Sequence, residues 1–175
     1  MSTIAIIALE KDDKSITSII CDSDGYTEHT GKILLENYDT KQRIEYLITH
    51  GSVSVLGPEI GKQHDFEAPR EGWTWHSDYK KQTPISKKWC RFYHRDKRDE
   101  LIIDNYKNEE ELLSTYNNES WAEFIYIYKD KKWHVKQNNV NTYSILSEQL
   151  SYAKEIEKSD TSEADEFPPV KESKY

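Results

Sequence analysis

Two β-branched apolar runs open the chain, Thr3–Leu9 (Thr-Ile-Ala-Ile-Ile-Ala-Leu) and Ser15–Cys21 (Ser-Ile-Thr-Ser-Ile-Ile-Cys), and only the polar link Glu10-Lys-Asp-Asp-Lys14 separates them. A link that short makes an antiparallel hairpin, because a parallel crossover needs a dozen or more residues. The second run ends at Cys21-Asp-Ser-Asp-Gly-Tyr26, a tight turn, and an amphipathic stretch follows. From Thr27 to Tyr38, residues Thr30, Ile33, Leu34, Asn37 and Tyr38 share one helical stripe. Asp39 or Thr40 then starts a second helix. Asp39 would pair with Gln42 in a capping box, and Thr40 is the other candidate cap. That helix runs to about His50, buries Ile44, Leu47 and Ile48, and stops at Gly51.

Between Ser52 and Ile85 the pattern is broken by Gly57-Pro58, Gly61, Pro69, Gly72 and Pro84, which leaves room for short strands and long loops. Trp73-Thr-Trp75 alternates as a strand would. Lys88–His94 reads as a strand, Arg95–Glu100 as a charged turn, and Leu101–Ile103 as its hairpin partner or an edge strand. Asn108 is placed to cap a helix over Glu109–Tyr116, whose first-turn acids suit the helix dipole. Ala122–Lys129 and Lys132–Lys136 flank Asp130-Lys131, a two-residue hairpin connection. A last helix is expected over Thr142–Lys158, carrying Ile145, Leu146, Leu150 and Ile156. The expected fold is α+β: an antiparallel sheet built from hairpins, short helices on one side, and a loop-rich middle. A single domain would cover 1–140, a C-terminal helix 141–158, and a disordered acidic tail 159–175.

Hydrophobic residues make up 35% of the chain and charged ones 32%, so the core must be small, and twelve Tyr, five Trp and four Phe supply much of its bulk. A net charge of −8 argues against direct binding of duplex DNA, which depends on neutralising phosphates. Half of that excess lies in Glu155–Tyr175, where seven acids face three lysines. Two cysteines, Cys21 and Cys90, are too few for a disulfide framework and suit a reducing cytoplasm. With no signal-like start and no window of membrane-spanning length, a soluble protein that is not exported is expected.

Four groups of residues invite a chemical reading. Asp22 and Asp24, after an apolar strand and before Gly25, match the first motif of haloacid-dehalogenase-like phosphatases, in which one Asp attacks phosphorus and the other is the acid/base. The short hairpin loop before them conflicts with the parallel sheet of that fold. Read as a calcium loop, the same acids put Ile20 and Gly31 at the strongest ligand positions. His64, His76 and His94, with Asp65 and Asp78, fit no metal-binding spacing. The run Arg91-Phe-Tyr-His-Arg-Asp-Lys-Arg98 interleaves aromatics with cations, a composition that stacks on bases and pairs with phosphates, or else pairs with its own acids.

The pattern Cys21-x-x-Asp24-Gly25-Tyr26, Gly31-x-x-Leu34, Tyr38, Leu56-Gly57, His64-Asp65-Phe66, Tyr93-His-Arg95-Asp96 and Phe124-Ile-Tyr-Ile-Tyr128 with Trp133 resembles a family of small bacteriophage proteins. The resemblance spans roughly Thr3 to Val135. Members read Cys-His-Trp-Asp-Gly-Tyr-Pro at the turn. Here Asp22-Ser23 replaces His-Trp and Thr27 replaces Pro, which deprives the phosphatase reading of its nucleophile as a family feature. The resemblance implies viral origin and expression in the host cytoplasm, with no established reaction. The expected role is that of an accessory protein acting by binding, as an inhibitor of a host protein or a sequestering binder of a small charged ligand. Alternatives are a metal-assisted phosphoester hydrolase using Asp22 and Asp24, and an acidic DNA mimic. Asp24, Gly25, Tyr26, Tyr93, Arg95 and Asp96 are the expected binding residues, with no catalytic residue, cofactor or metal assigned.

Overall fold

Strands β1 (Ala5–Glu10) and β2 (Ile16–Cys21) form the expected hairpin, with Ala5 opposite Cys21 and Glu10 opposite Ile16. The structure is a computed structural model that describes residues 3–71, 84–118, 121–138, 140 and 142–151. The Trp73–Trp75 strand, the end of the last helix and the acidic tail lie outside the described residues. After β2 the chain makes a π-helical turn, Thr27–Gly31, and runs on into helix α1 (Lys32–Asn37). Helix α2 (Lys41–Thr49) is capped by Thr40, whose hydroxyl accepts from the Arg43 amide at 3.2 Å, and it stops at Gly51, with φ of 73°.

Strand β3 (Val53–Val55) pairs with β4 (Arg91–Phe92), and helix α3 (Tyr93–Lys97) follows directly. The strand expected over Lys88–His94 is therefore cut to two residues. The cause is local: the Asp96 carboxylate reaches back one turn to accept from the Phe92 amide at 2.8 Å, which holds the chain in a helical turn. Strand β5 (Asp104–Tyr106) begins three residues later than expected. Leu101 and Ile102 stay 43% and 47% exposed, because the free edge of β2 at Ile16–Ser18 meets the segment after them. Helix α4 (Glu109–Asn118) has the expected cap, with the Glu111 amide donating to Asn108 Oδ1 at 2.9 Å.

Strands β6 (Phe124–Lys129) and β7 (Lys132–Gln137) turn at Asp130 and Lys131, both left-handed with φ of 52° and 61°. That pair of conformations matches the twist of a two-residue hairpin. Strand β8 (Ser144–Ile145) pairs with β7 where helix was expected, and residues 146–151 are helical.

These eight strands form one sheet in the order β4-β3-β2-β1-β6-β7-β8, with β5 also on β2. The fold is α+β, but the sheet is mixed, not purely antiparallel: β1 runs parallel to β6 and β2 parallel to β3. The helices between β2 and β3 supply the long connection a parallel neighbour needs. The two hairpins, each formed locally, meet side by side through β1 and β6, a join no local pattern encodes.

Nor are the helices on one side. One face of the sheet presents Ile7, Leu9, Ile19, Tyr126, Trp133 and Val135 to Leu34, Ile44, Leu47 and Ile48 of α1 and α2. The other presents Ile6, Ala8, Ile16, Ile125 and Ile127 to Leu112 and Tyr116 of α4. Alternation along β1 and β6 thus buries both faces, as expected for strands inside a sheet covered by helices. Aromatic side chains fill the first face and use their polar tips to pin loops. Tyr126 donates to Gly25 O at 2.6 Å, Trp133 Nε1 to Tyr38 O at 2.8 Å, and Tyr38 to Gly57 O at 2.8 Å.

Candidate functional site

The turn that ends β2 and the helix that follows β4 meet at one point. Asp22, anchored by its amide to Val53 O at 3.0 Å, accepts a hydrogen bond on Oδ2 from the Tyr93 hydroxyl at 2.5 Å. Burial, reinforced by this bond, pushes the Tyr93 phenol up to about 12. The carboxylate that departs from the resembled pattern is thus the one that joins the two expected halves of the site.

The other turn residues have structural work. Gly25 donates to Thr3 O at 2.8 Å and accepts from Tyr126, and a Cβ there would lie 2.7 Å from Thr3 O and 2.8 Å from Ala5 Cβ. Only glycine lets the turn lie this close to β1. Asp24 is left-handed, with φ of 54°, and its carbonyl accepts from the Thr30 hydroxyl at 2.7 Å and His29 Nδ1 at 3.1 Å. Its negative charge opposes the loss of proton affinity at Arg70, a guanidinium only 7% exposed and disfavoured first by burial, then by Arg91. Tyr26 is 39% exposed beside the His29 ring.

Arg95 and Asp96 form a buried clamp. Arg95 holds both Asp96 oxygens, Nε to Oδ1 at 2.9 Å and an Nη to Oδ2 at 3.1 Å, and also donates to Ile60 O at 2.9 Å, Gly61 O at 3.2 Å and Cys90 O at 3.1 Å. Asp96 Oδ1 also accepts from the His64 amide at 3.1 Å. The His64 ring directs Nε2 to Cys90 O at 3.1 Å and Nδ1 to Asp65 O at 2.8 Å. The pair therefore fixes the 60–66 loop against α3 and turns its charge inward.

On the solvent side of this clamp lies a cleft of about 570 Å³, lined by Gln63, His64, Asp65, Phe66, Glu67, Asp96, Lys97 and Arg98. Phe66 packs at 5.3 Å from the Tyr93 ring. Two cations approach the Phe66 ring, Lys97 Nζ at 5.3 Å and Arg91 Cζ at 5.5 Å from its centroid. Of the six expected residues, Asp96 lines this cleft, Tyr93 packs behind its Phe66 wall, Arg95 holds Asp96, and Asp24, Gly25 and Tyr26 belong to the turn that Asp22 ties to Tyr93. Phe66 and Lys97 lie outside the six expected binding residues. Their signal was present in the His64-Asp65-Phe66 step and the basic aromatic run, which only the fold brings together.

The hydrolase reading gains one element and lacks others. Strand β2 is followed by a helical crossover to the parallel β3, so the motif's strand context is closer to a phosphatase than the hairpin alone suggested. Asp22, however, is held by Tyr93, and among the described residues no three His, Cys, Asp or Glu side chains are grouped as a metal requires. His94 is exposed and directs Nδ1 to Asp99 O at 2.8 Å, and His76 lies outside the described residues. Both thiols are buried, and burial pushes Cys21 up to about 11 and raises Cys90, so neither is an activated nucleophile. No protein-family model, no curated protein and no solved structure matches the chain.

Proposed function

We propose that this chain is a phage-encoded accessory protein that works by binding in the host cytoplasm, capturing a small planar anion in the cleft between the 63–67 segment and α3. One observation carries this reading: the Phe66 ring, packed on Tyr93, has Lys97 and Arg91 within 5.5 Å of its centroid at an open cleft. An aromatic face flanked by cations stacks on a planar ring and pairs with its anionic substituent. Of the acids lining the cleft, Asp96 is matched by Arg95 and Asp65 accepts from the Glu67 amide at 3.0 Å, while Lys97 also pairs with exposed Asp99 at 3.6 Å, so a bound anion would compete with Asp99 for it. The resemblance to phage proteins supplies the biological setting. No helix among the described residues is long and apolar enough to cross a membrane.

Calorimetric titration of the purified chain with mononucleotides, inorganic phosphate and sulfate tests the proposal. A nucleotide should bind with micromolar affinity, and Phe66→Ala or Lys97→Glu should weaken it by about tenfold or more. Absence of heat with every anion, alongside capture of one stoichiometric host protein, would replace ligand capture by inhibition of that protein.

A further inference from the structure

The cleft beside Phe66 is charged differently on its two walls. The 63–67 segment contributes the acids Asp65 and Glu67, and the end of α3 contributes the cations Lys97 and Arg98. Their existing bonds sort these four. Asp65 Oδ1 accepts from the Glu67 amide at 3.0 Å, and Lys97 pairs with Asp99 at 3.6 Å. Glu67 and Arg98 are exposed, and among the described residues neither side chain has a hydrogen-bond or ion-pair partner. Arg98 ends α3 in the left-handed region, with φ of 65°. The cleft therefore offers an open carboxylate, an open guanidinium and the Phe66 ring.

We propose that this cleft selects guanine nucleotides, with Glu67 reading the base edge and Arg98 holding the phosphate, an assignment that rests on the planar-anion reading of the same cleft. The selection follows from what a carboxylate can do. When ionised it only accepts hydrogen bonds, through two oxygens side by side. Guanine presents two neighbouring donors, its ring N–H and its exocyclic amine, and these match the two oxygens. Adenine and cytosine each present one amine beside a ring-nitrogen lone pair, so one carboxylate oxygen would face a lone pair. Uracil presents a single N–H between two carbonyls. Hydrogen bonds to an ionised acceptor are also the stronger kind, which sharpens the difference. At the other wall, the guanidinium fork of Arg98 matches two phosphate oxygens at once, and it does so without displacing Asp99 from Lys97. A ligand with donors at one end, an anion at the other and a flat face between them fits Glu67, Arg98 and Phe66 together.

Calorimetric titration of the full chain with GMP, IMP, AMP and guanosine is the test. GMP should bind about tenfold more tightly than AMP, and IMP, which lacks the exocyclic amine, should fall between them. Glu67→Gln puts a donor and an acceptor where two acceptors stood, a pattern that pairs with adenine. GMP should then weaken to the level of AMP, while AMP does not weaken. Arg98→Gly, a residue suited to the left-handed position, should weaken GMP and AMP by the same factor and bring GMP close to guanosine. Both substitutions fall at exposed positions, and the bond from the residue 67 amide to Asp65 survives the first of them. Equal binding of GMP and AMP, with both weakened in Phe66→Ala, overturns the guanine preference and leaves the planar-anion reading standing. A preference for GMP that survives Glu67→Gln overturns the role given to Glu67. Absence of heat with every nucleotide removes both readings together.

Discussion

The Tyr93 hydroxyl donates to the Asp22 carboxylate across 71 residues of sequence, and this bond ties the turn after β2 to the first residue of α3. Tyr93→Phe should cost about 1–2 kcal/mol, because it leaves Asp22 without its donor in a partly buried place. Urea unfolding of the two proteins measures the difference.

The same phenol sets an alkaline limit. Its proton is held more tightly in the folded chain than at the ordinary tyrosine value of 10, so its contribution is whole below pH 10 and is lost as pH rises through about 12. Buried Tyr38 and Tyr126 and partly buried Tyr143 are displaced in the same direction by burial. Stability should therefore fall steeply above pH 10, and Tyr93→Phe should flatten part of that slope. Tyrosinate absorbance followed together with circular dichroism checks whether ionisation and unfolding coincide.

Gly25→Ala should destabilise by about 2–3 kcal/mol, since the new methyl meets backbone and Ala5 Cβ at distances nothing flexible can relieve. Tyr126→Phe, which removes only the hydroxyl bonded to Gly25 O, should cost about 1 kcal/mol. A larger loss in Tyr126→Phe than in Gly25→Ala would place the constraint in the hydrogen bond instead of the close approach.

At the β6–β7 turn, Lys131 adopts φ of 61°, a conformation glycine takes without the steric cost of a side chain. Lys131→Gly should raise stability by about 0.5–1 kcal/mol, net of the extra freedom glycine has when unfolded. Thermal melts of both proteins decide it.

Such local features were the legible part of the fold. Thr40, Asn108, Gly51 and the Asp130-Lys131 pair act within a few residues of themselves, and each stands where its chemistry predicts. The parallel join of β1 to β6 was not legible, because Ile7 beside Tyr126 is a match between distant strands that share only a buried, alternating pattern. Helix α3 was hidden for another reason. Tyr93 and His94 continue an aromatic run that favours a strand, and the Asp96–Phe92 bond overrides it. At the site, the residue types were visible but their direction was not. Arg95 and Asp96 look like surface charges in sequence and face inward in the fold, while Phe66 acquires its cations only when the loop folds onto α3.

That inward clamp makes the last prediction. Asp96 has a fully buried carboxylate that accepts from Arg95, the His64 amide and the Phe92 amide, so it holds the 60–66 loop, the start of α3 and the cleft between them. Asp96→Asn keeps the shape but removes the charge opposite Arg95 and turns one acceptor into a donor facing other donors. The cost should be about 3–5 kcal/mol, as for a buried pair broken on one side. Asp99→Asn, at an exposed pair with Lys97 at 3.6 Å, should cost well under about 1 kcal/mol. Hydrogen exchange should show the loss in Asp96→Asn concentrated at the Phe92 and His64 amides, with the β6–β7 hairpin still protected. Uniform loss across both regions would mean that the clamp stabilises the whole domain and not the cleft wall alone.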